Sequence, residues 1–233
     1  MAMSDAAEMT ALRQRFPKLA PLSAAYQALT IFGTNAYLLY LLLRGEGTPS
    51  AFALYGVLEL VAWSVIANTA LMPVPKDLRV GSPDMPLIGR IMTIAAFSAF
   101  LGGIAWACVP DREHIDQLLH APDPFAALGD LHILWPLLAS VALAASGSIG
   151  DLMRWRGTGG PFATGTAMAA SSKFITAIVA PIAAMMLSDA LADTAAHKAL
   201  VWSSAYLAIK CASELLMLGW QSAGMPDRQR EAG

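Results

Sequence analysis

Six apolar stretches, each long enough to cross a lipid bilayer as a helix, leave this chain few ways to fold. They cover residues 22–43, 51–72, 87–109, 131–153, 162–187 and 196–220. A hydrocarbon layer of ~30 Å needs about 20 apolar residues in helical conformation. Glycine and proline punctuate between the stretches, as GEGTPS before the second, PVPKDLRVGSPDMP before the third and RGTGGP before the fifth. These are the residues that end helices and start turns. Within each stretch the apolar residues lie on every side of a helix, whereas a soluble amphipathic helix keeps a polar face. Only 14% of the 233 residues are charged and 56% are hydrophobic, against about a quarter charged in a soluble domain. A chain this short cannot cover so much apolar surface with itself. The expected fold is all-α, a polytopic bundle of six transmembrane helices with the lipid bilayer as its first partner.

Lysine and arginine favour the cytoplasmic side of a membrane. One side collects Arg13, Arg15, Lys18, Lys76, Arg79, Arg90, Arg154, Arg156, Arg228 and Arg230, while the other holds only Arg44, Arg112 and Lys198. The split alternates with every crossing, which predicts an N-in/C-in protein of the cell's inner membrane. Residues 1–21 then form a cytoplasmic segment. Met9, Leu12 and Phe16 fall on one side of it, so it reads either as an amphipathic helix lying on the inner surface or as a loose tail. Residues 22–220 make the transmembrane domain, with an acidic outer loop at 110–130, and 221–233 a disordered cytoplasmic tail. No apolar signal-peptide core precedes the first stretch, and no lipidation signal is visible at either end.

Ionisable groups inside a bilayer are costly and usually functional. Four fall within the stretches: Glu59, Lys173, Lys210 and Glu214. At ~1.5 Å rise per residue, Glu59 and Lys173 reach nearly the same depth on the second and fifth helices, so they are expected to pair. Lys210 and Glu214 are one turn apart and share a face. These four are the expected pathway or ion-pair residues. Asn35, Asn68 and Asp151 are expected as polar groups at helix interfaces, with Asp151 near Arg154 at the inner end of its span. Small residues in the fourth and fifth stretches, including a stripe of Gly165, Ala169, Lys173 and Ala177, predict the closest helix packing there. Trp135, Trp202, Trp220 and Tyr26 are expected as interfacial anchors.

All four histidines lie toward the outer side, three of them in or beside an acidic loop. Asp116, His120 and His132 form a candidate set of metal ligands, since imidazole with carboxylate suits zinc, copper or iron. No other cofactor is expected. Two cysteines, Cys108 and Cys211, exclude a disulfide framework. A net charge of −2 without a basic run gives no nucleic-acid partner. There is no HExxH, no P-loop, and no histidine in the membrane interior to activate a serine, which argues against an enzyme.

The leading expectation is a small transporter or channel-like protein with Glu59, Lys173, Lys210 and Glu214 lining a polar pathway. One alternative is a non-catalytic subunit or assembly factor of a larger membrane complex, with a membrane-protein partner or a second copy of the chain. Another is an outer-face metal-binding protein or enzyme.

Overall fold

The computed structural model describes residues 21–79, 86–111, 115, 120–158, 162 and 165–223. The N-terminal segment and the last ten residues lie outside them. Seven α-helices occur among the described residues: α1 (Pro21–Arg44), α2 (Pro49–Leu71), α3 (Leu87–Cys108), α4 (Pro124–Asp130), α5 (Leu134–Thr158), α6 (Gly165–Leu191) and α7 (Ala195–Ala223). No strand is present among the described residues, only an isolated bridge between Arg79 and Phe162. Five of the helices, α2, α3, α5, α6 and α7, contain segments long and apolar enough to cross a membrane. The chain is thus an all-helical bundle compatible with a membrane protein.

Local chemistry sets the helix ends. The Thr48 hydroxyl accepts a hydrogen bond from the Ala51 amide at 3.2 Å and Pro49 opens α2, which satisfies one free donor of the first turn. Gly45 follows α1 with φ of +73°, the left-handed backbone that closes many helices. Within the acidic loop, Asp123 caps α4 by accepting from the amides of Phe125 and Ala126. The helix expected to begin at residue 131 starts later. Leu131 and His132 close α4, His132 takes φ of +57°, and α5 starts only at Leu134.

Helix α2 is the centre of the bundle. It packs against α3, α5, α6 and α7. In its apolar window 56% of the residues are buried, against 17% in α3, which lies at the edge. The small residues of α5 and α6 therefore do not mark the middle: each of those helices packs more extensively against α2 than against the other. The reason is visible in the side chains. Ser140 and Ala144 of α5 and Lys173 and Ala177 of α6 are buried, and Glu59 and Trp63 of α2 bond to Ser140 and Lys173.

Trp202 also departs from expectation. It is fully buried rather than interfacial, stacks on Tyr206 with ring centroids 5.1 Å apart, and donates its indole N–H to the Cys108 carbonyl at 2.9 Å. Tyr206 in turn reaches Gly56 on α2. A β-carbon placed at Gly56 would sit 2.0 Å from the Tyr206 hydroxyl oxygen, so only glycine admits this approach. Gly56→Ala is expected to destabilise the protein by about 1–3 kcal/mol through overpacking. Adding Tyr206→Phe should recover most of that loss in detergent unfolding, because it removes the atom in the way.

At the Met72 end, Arg79 donates from Nε to the Val74 carbonyl at 2.8 Å and from Nη2 to the Met72 carbonyl at 3.4 Å. The Phe162 amide donates to the Leu78 carbonyl, and its ring meets Trp155 edge-on at 5.7 Å. Leu71, Val74 and Phe162 form a small apolar plug there.

Candidate functional site

The site grows from two rows of residues at four-residue spacing, the interval that brings side chains onto one helical face. On α2 the row is Tyr55, Glu59 and Trp63; on α7 it is Trp202, Tyr206, Lys210 and Glu214. Lys173 of α6 enters between them. Glu59, Lys173, Lys210 and Glu214 are 3%, 8%, 2% and 6% exposed, so these charges are answered by protein groups or not at all.

The four charges form a closed alternating ring. Lys173 Nζ lies 2.8 Å from Glu59 Oε1 and 2.7 Å from Glu214 Oε1. Lys210 Nζ lies 3.1 Å from Glu59 Oε2 and 2.7 Å from Glu214 Oε1. Each ammonium is shared by two carboxylates and each carboxylate by two ammoniums, and the ring sums to zero charge. Taking one ion out of water costs several kcal/mol, which mutual attraction offsets only when geometry and supporting hydrogen bonds are good. Those supports are present. Tyr55 donates to Glu59 Oε1 at 3.0 Å and Ser140 at 2.5 Å; Trp63 donates to Ser140 at 2.7 Å. Lys173 Nζ stands 4.8 Å from the Trp63 ring centroid and Lys210 Nζ 5.2 Å from that of Tyr55, close enough for cation–π attraction.

Apolar layers close the ring from both ends. Phe52, Tyr55, Trp202, Tyr206 and Leu207 belong to one cluster, and Leu60, Trp63, Leu101, Leu143 and Ala144 to another. Glu59 sits at their junction on α2.

The remaining polar residues are placed differently. Asn35 of α1 is buried; its amide donates to the Ile31 carbonyl at 2.8 Å and to Glu214 Oε2 at 3.4 Å. Asn68 donates to the Ser64 carbonyl one turn back in α2, at a distance of two to three turns from Glu59. Asp151 is half-buried near the far end of α5, and the Arg154 side chain lies outside the described residues. Of the outer set, His120 and His132 are exposed and Asp116 lies outside the described residues. Among the described residues no three His, Cys, Asp or Glu side chains are grouped to hold a metal ion. Cys108 and Cys211 are both free thiols.

Tyr55, Trp63 and Ser140 were not among the sequence-derived site residues. Tyr55 and Trp63 carried a signal, since both are four residues from Glu59. Ser140 carried none, because its register against α2 depends on how α5 rotates. Comparison with protein-family models, curated proteins and solved structures finds no match for this chain.

Proposed function

We propose that this chain is a small multi-pass transporter of the inner membrane, in which the charged ring is the closed gate of the transport path. The reading includes α1 as a sixth span and places both termini in the cytoplasm, on the strength of the lysine and arginine distribution. The observation that carries it is the sharing of Lys173. One ammonium on α6 holds carboxylates of α2 and α7 together, so a movement of α6 exchanges ion pairs on both neighbours at once. A simple tie between two helices needs one acid and one base. Four charges, doubly paired and charge-neutral, suit a junction that opens and closes without leaving a lone ion in a low-dielectric interior.

The test uses the purified chain reconstituted in vesicles, with protons as the probe and an internal pH dye as the readout. Under an imposed potential the vesicles should acidify or alkalinise faster than protein-free ones. Glu59→Gln should return the rate to the protein-free leak, because Glu59 is the anchor for both lysines. A rate equal to that of empty vesicles, or unaffected by Glu59→Gln, contradicts the proposal.

A second reading, a non-catalytic subunit of a membrane complex, is favoured by how fully Glu59 is bonded: two ammoniums and two hydroxyls meet its oxygens. That is what a permanent staple requires. The exposed apolar side of α3, with Ile88 75%, Met92 64% and Phe100 58% exposed, is available to lipid or to such a partner. Co-purification of a stoichiometric membrane protein, together with absent flux, would select this reading.

A further inference from the structure

The two carboxylates of the ring are not equivalent in the donors they receive. Glu59 has donors on both oxygens: Tyr55, Ser140 and Lys173 at Oε1, and Lys210 at Oε2. A proton added at Glu59 Oε2 would stand directly beside the Lys210 ammonium, 3.1 Å away. Glu214 takes both ammoniums on the same oxygen, Oε1, at 2.7 Å each. Among the described residues its Oε2 has one donor, the Asn35 amide at 3.4 Å, near the outer limit of a hydrogen bond. Beside it stands a second acceptor. Asn35 is 7% exposed, and its Oδ1 has no hydrogen-bond partner among the described residues. The amide is not simply turned the wrong way. Its Nδ2 faces two acceptors, the Ile31 carbonyl and Glu214, and reversing it would set oxygen against oxygen.

Buried acceptors of this kind normally have a donor. Here two belong to neighbouring residues: a carboxylate oxygen with one long hydrogen bond and an amide oxygen with none among the described residues. We propose that Glu214 Oε2 is the proton-loading atom of the ring and that Asn35 positions it in both protonation states. This rests on the transport reading above. With Glu214 ionised, Asn35 donates through Nδ2. When a proton leaves water and forms an O–H bond at Oε2, Glu214 becomes neutral and the ring gains one positive charge. Asn35 then gives up its Nδ2 bond to the Ile31 carbonyl and swings so that Oδ1 accepts that O–H. A neutral Glu214 holds Lys173 and Lys210 less firmly and leaves both to Glu59. Protonation therefore loosens α7 from α6 while α2 keeps its lysines. Release of the proton restores the closed ring.

The groups that face Glu214 are Lys173 on α6, Glu59 and Tyr55 on α2, Asn35 on α1, and Tyr206, Lys210 and Cys211 on its own helix. None of them offers a donor to Oε2 except Asn35. A cavity of about 410 Å³ between α1 and α5 is bounded by Gly33, Thr34, Tyr37, Trp135, Pro136 and Ala139. Thr34 is the neighbour of Asn35 in sequence, and Ala139 of Ser140.

The experiment is infrared difference spectroscopy of the full chain in lipid vesicles on acidification. A carboxylic C=O band should appear. It should be lost in Glu214→Gln, persist in Glu59→Gln, and shift to higher frequency in Asn35→Leu, where the acceptor for the O–H is gone. Should Glu214→Gln fail to fold, the charge-balanced pair Lys210→Met with Glu214→Gln keeps Glu59 and Lys173 matched, and must also lack the band. A band that survives removal of Glu214, or that never appears in the unaltered chain, overturns the inference. If proton flux is present but the band belongs to Glu59, transport stands and the assignment to Glu214 falls. If band and flux are both absent, both fall.

Discussion

Replacing Lys210 with methionine is expected to destabilise the protein by about 3–5 kcal/mol, the usual cost of removing one partner from a buried ion pair. Methionine fills a similar length of space, so packing loss contributes little. What changes is charge. Glu59 and Glu214 are left with Lys173 alone, and the buried site goes from zero to one net negative charge. Glu59 Oε2, which Lys210 meets at 3.1 Å, then has no donor among the described residues. Unfolding in mild detergent, followed by helical signal, measures the effect. A loss below about 1 kcal/mol, the scale of a surface pair, would mean that water reaches the ring.

Trp202→Ala is the second large effect, expected at about 3–5 kcal/mol from cavity formation. Trp202 is fully buried, supports the Tyr206 ring, and occupies the Cys108 carbonyl at the end of α3. Its removal opens the apolar layer on one side of the ring and lets Tyr206 leave Gly56. Water entry next to Lys210 should follow, seen as faster hydrogen exchange at the amides of α7 around Lys210. Trp202→Phe should recover part of the stability and leave the Cys108 carbonyl without its indole donor. Equal losses for alanine and phenylalanine would assign the effect to the hydrogen bond and not to packing.

The helical character of the chain was legible because apolar length and glycine–proline punctuation are local properties. The Glu59–Lys173 pairing was legible as well: residue counting put the two at one level, and they lie 2.8 Å apart. Rotation about the helix axis was not. Each span is apolar all round, so nothing local tells which face of α6 turns inward or that α2 is the hub. For that reason Lys173–Glu214 and Lys210–Glu59, the contacts that turn two pairs into one ring, were not read from the sequence. Nor was Trp202, whose position near a span end mimicked an interfacial anchor. The rows at four-residue spacing on α2 and α7 were the best local guide. They place Tyr55 and Trp63 beside Glu59, and Tyr206 beside Lys210.

Outside the ring, the start of α5 shows how a single backbone angle overrides an apolar pattern. Residues around 131 are apolar enough to continue a helix, yet His132 at φ of +57° separates α4 from α5. That turn lets the short helix α4, capped by Asp123, fold back over the end of the bundle, where Leu128 and Ile133 join the same apolar cluster as Trp202.

The claim on which the rest stands is that four charges behave as one unit, and a double-mutant cycle between Lys210 and Glu214 measures it. Lys210→Met and Glu214→Gln each leave a buried charge in excess, whereas the double variant returns the site to a balanced Glu59–Lys173 pair. The double variant is expected to lose less than the sum of the two single losses, with a coupling of about 1–3 kcal/mol. Losses that simply add would show that Lys210 and Glu214 act as separate solvated charges, and the ring would not exist as a unit.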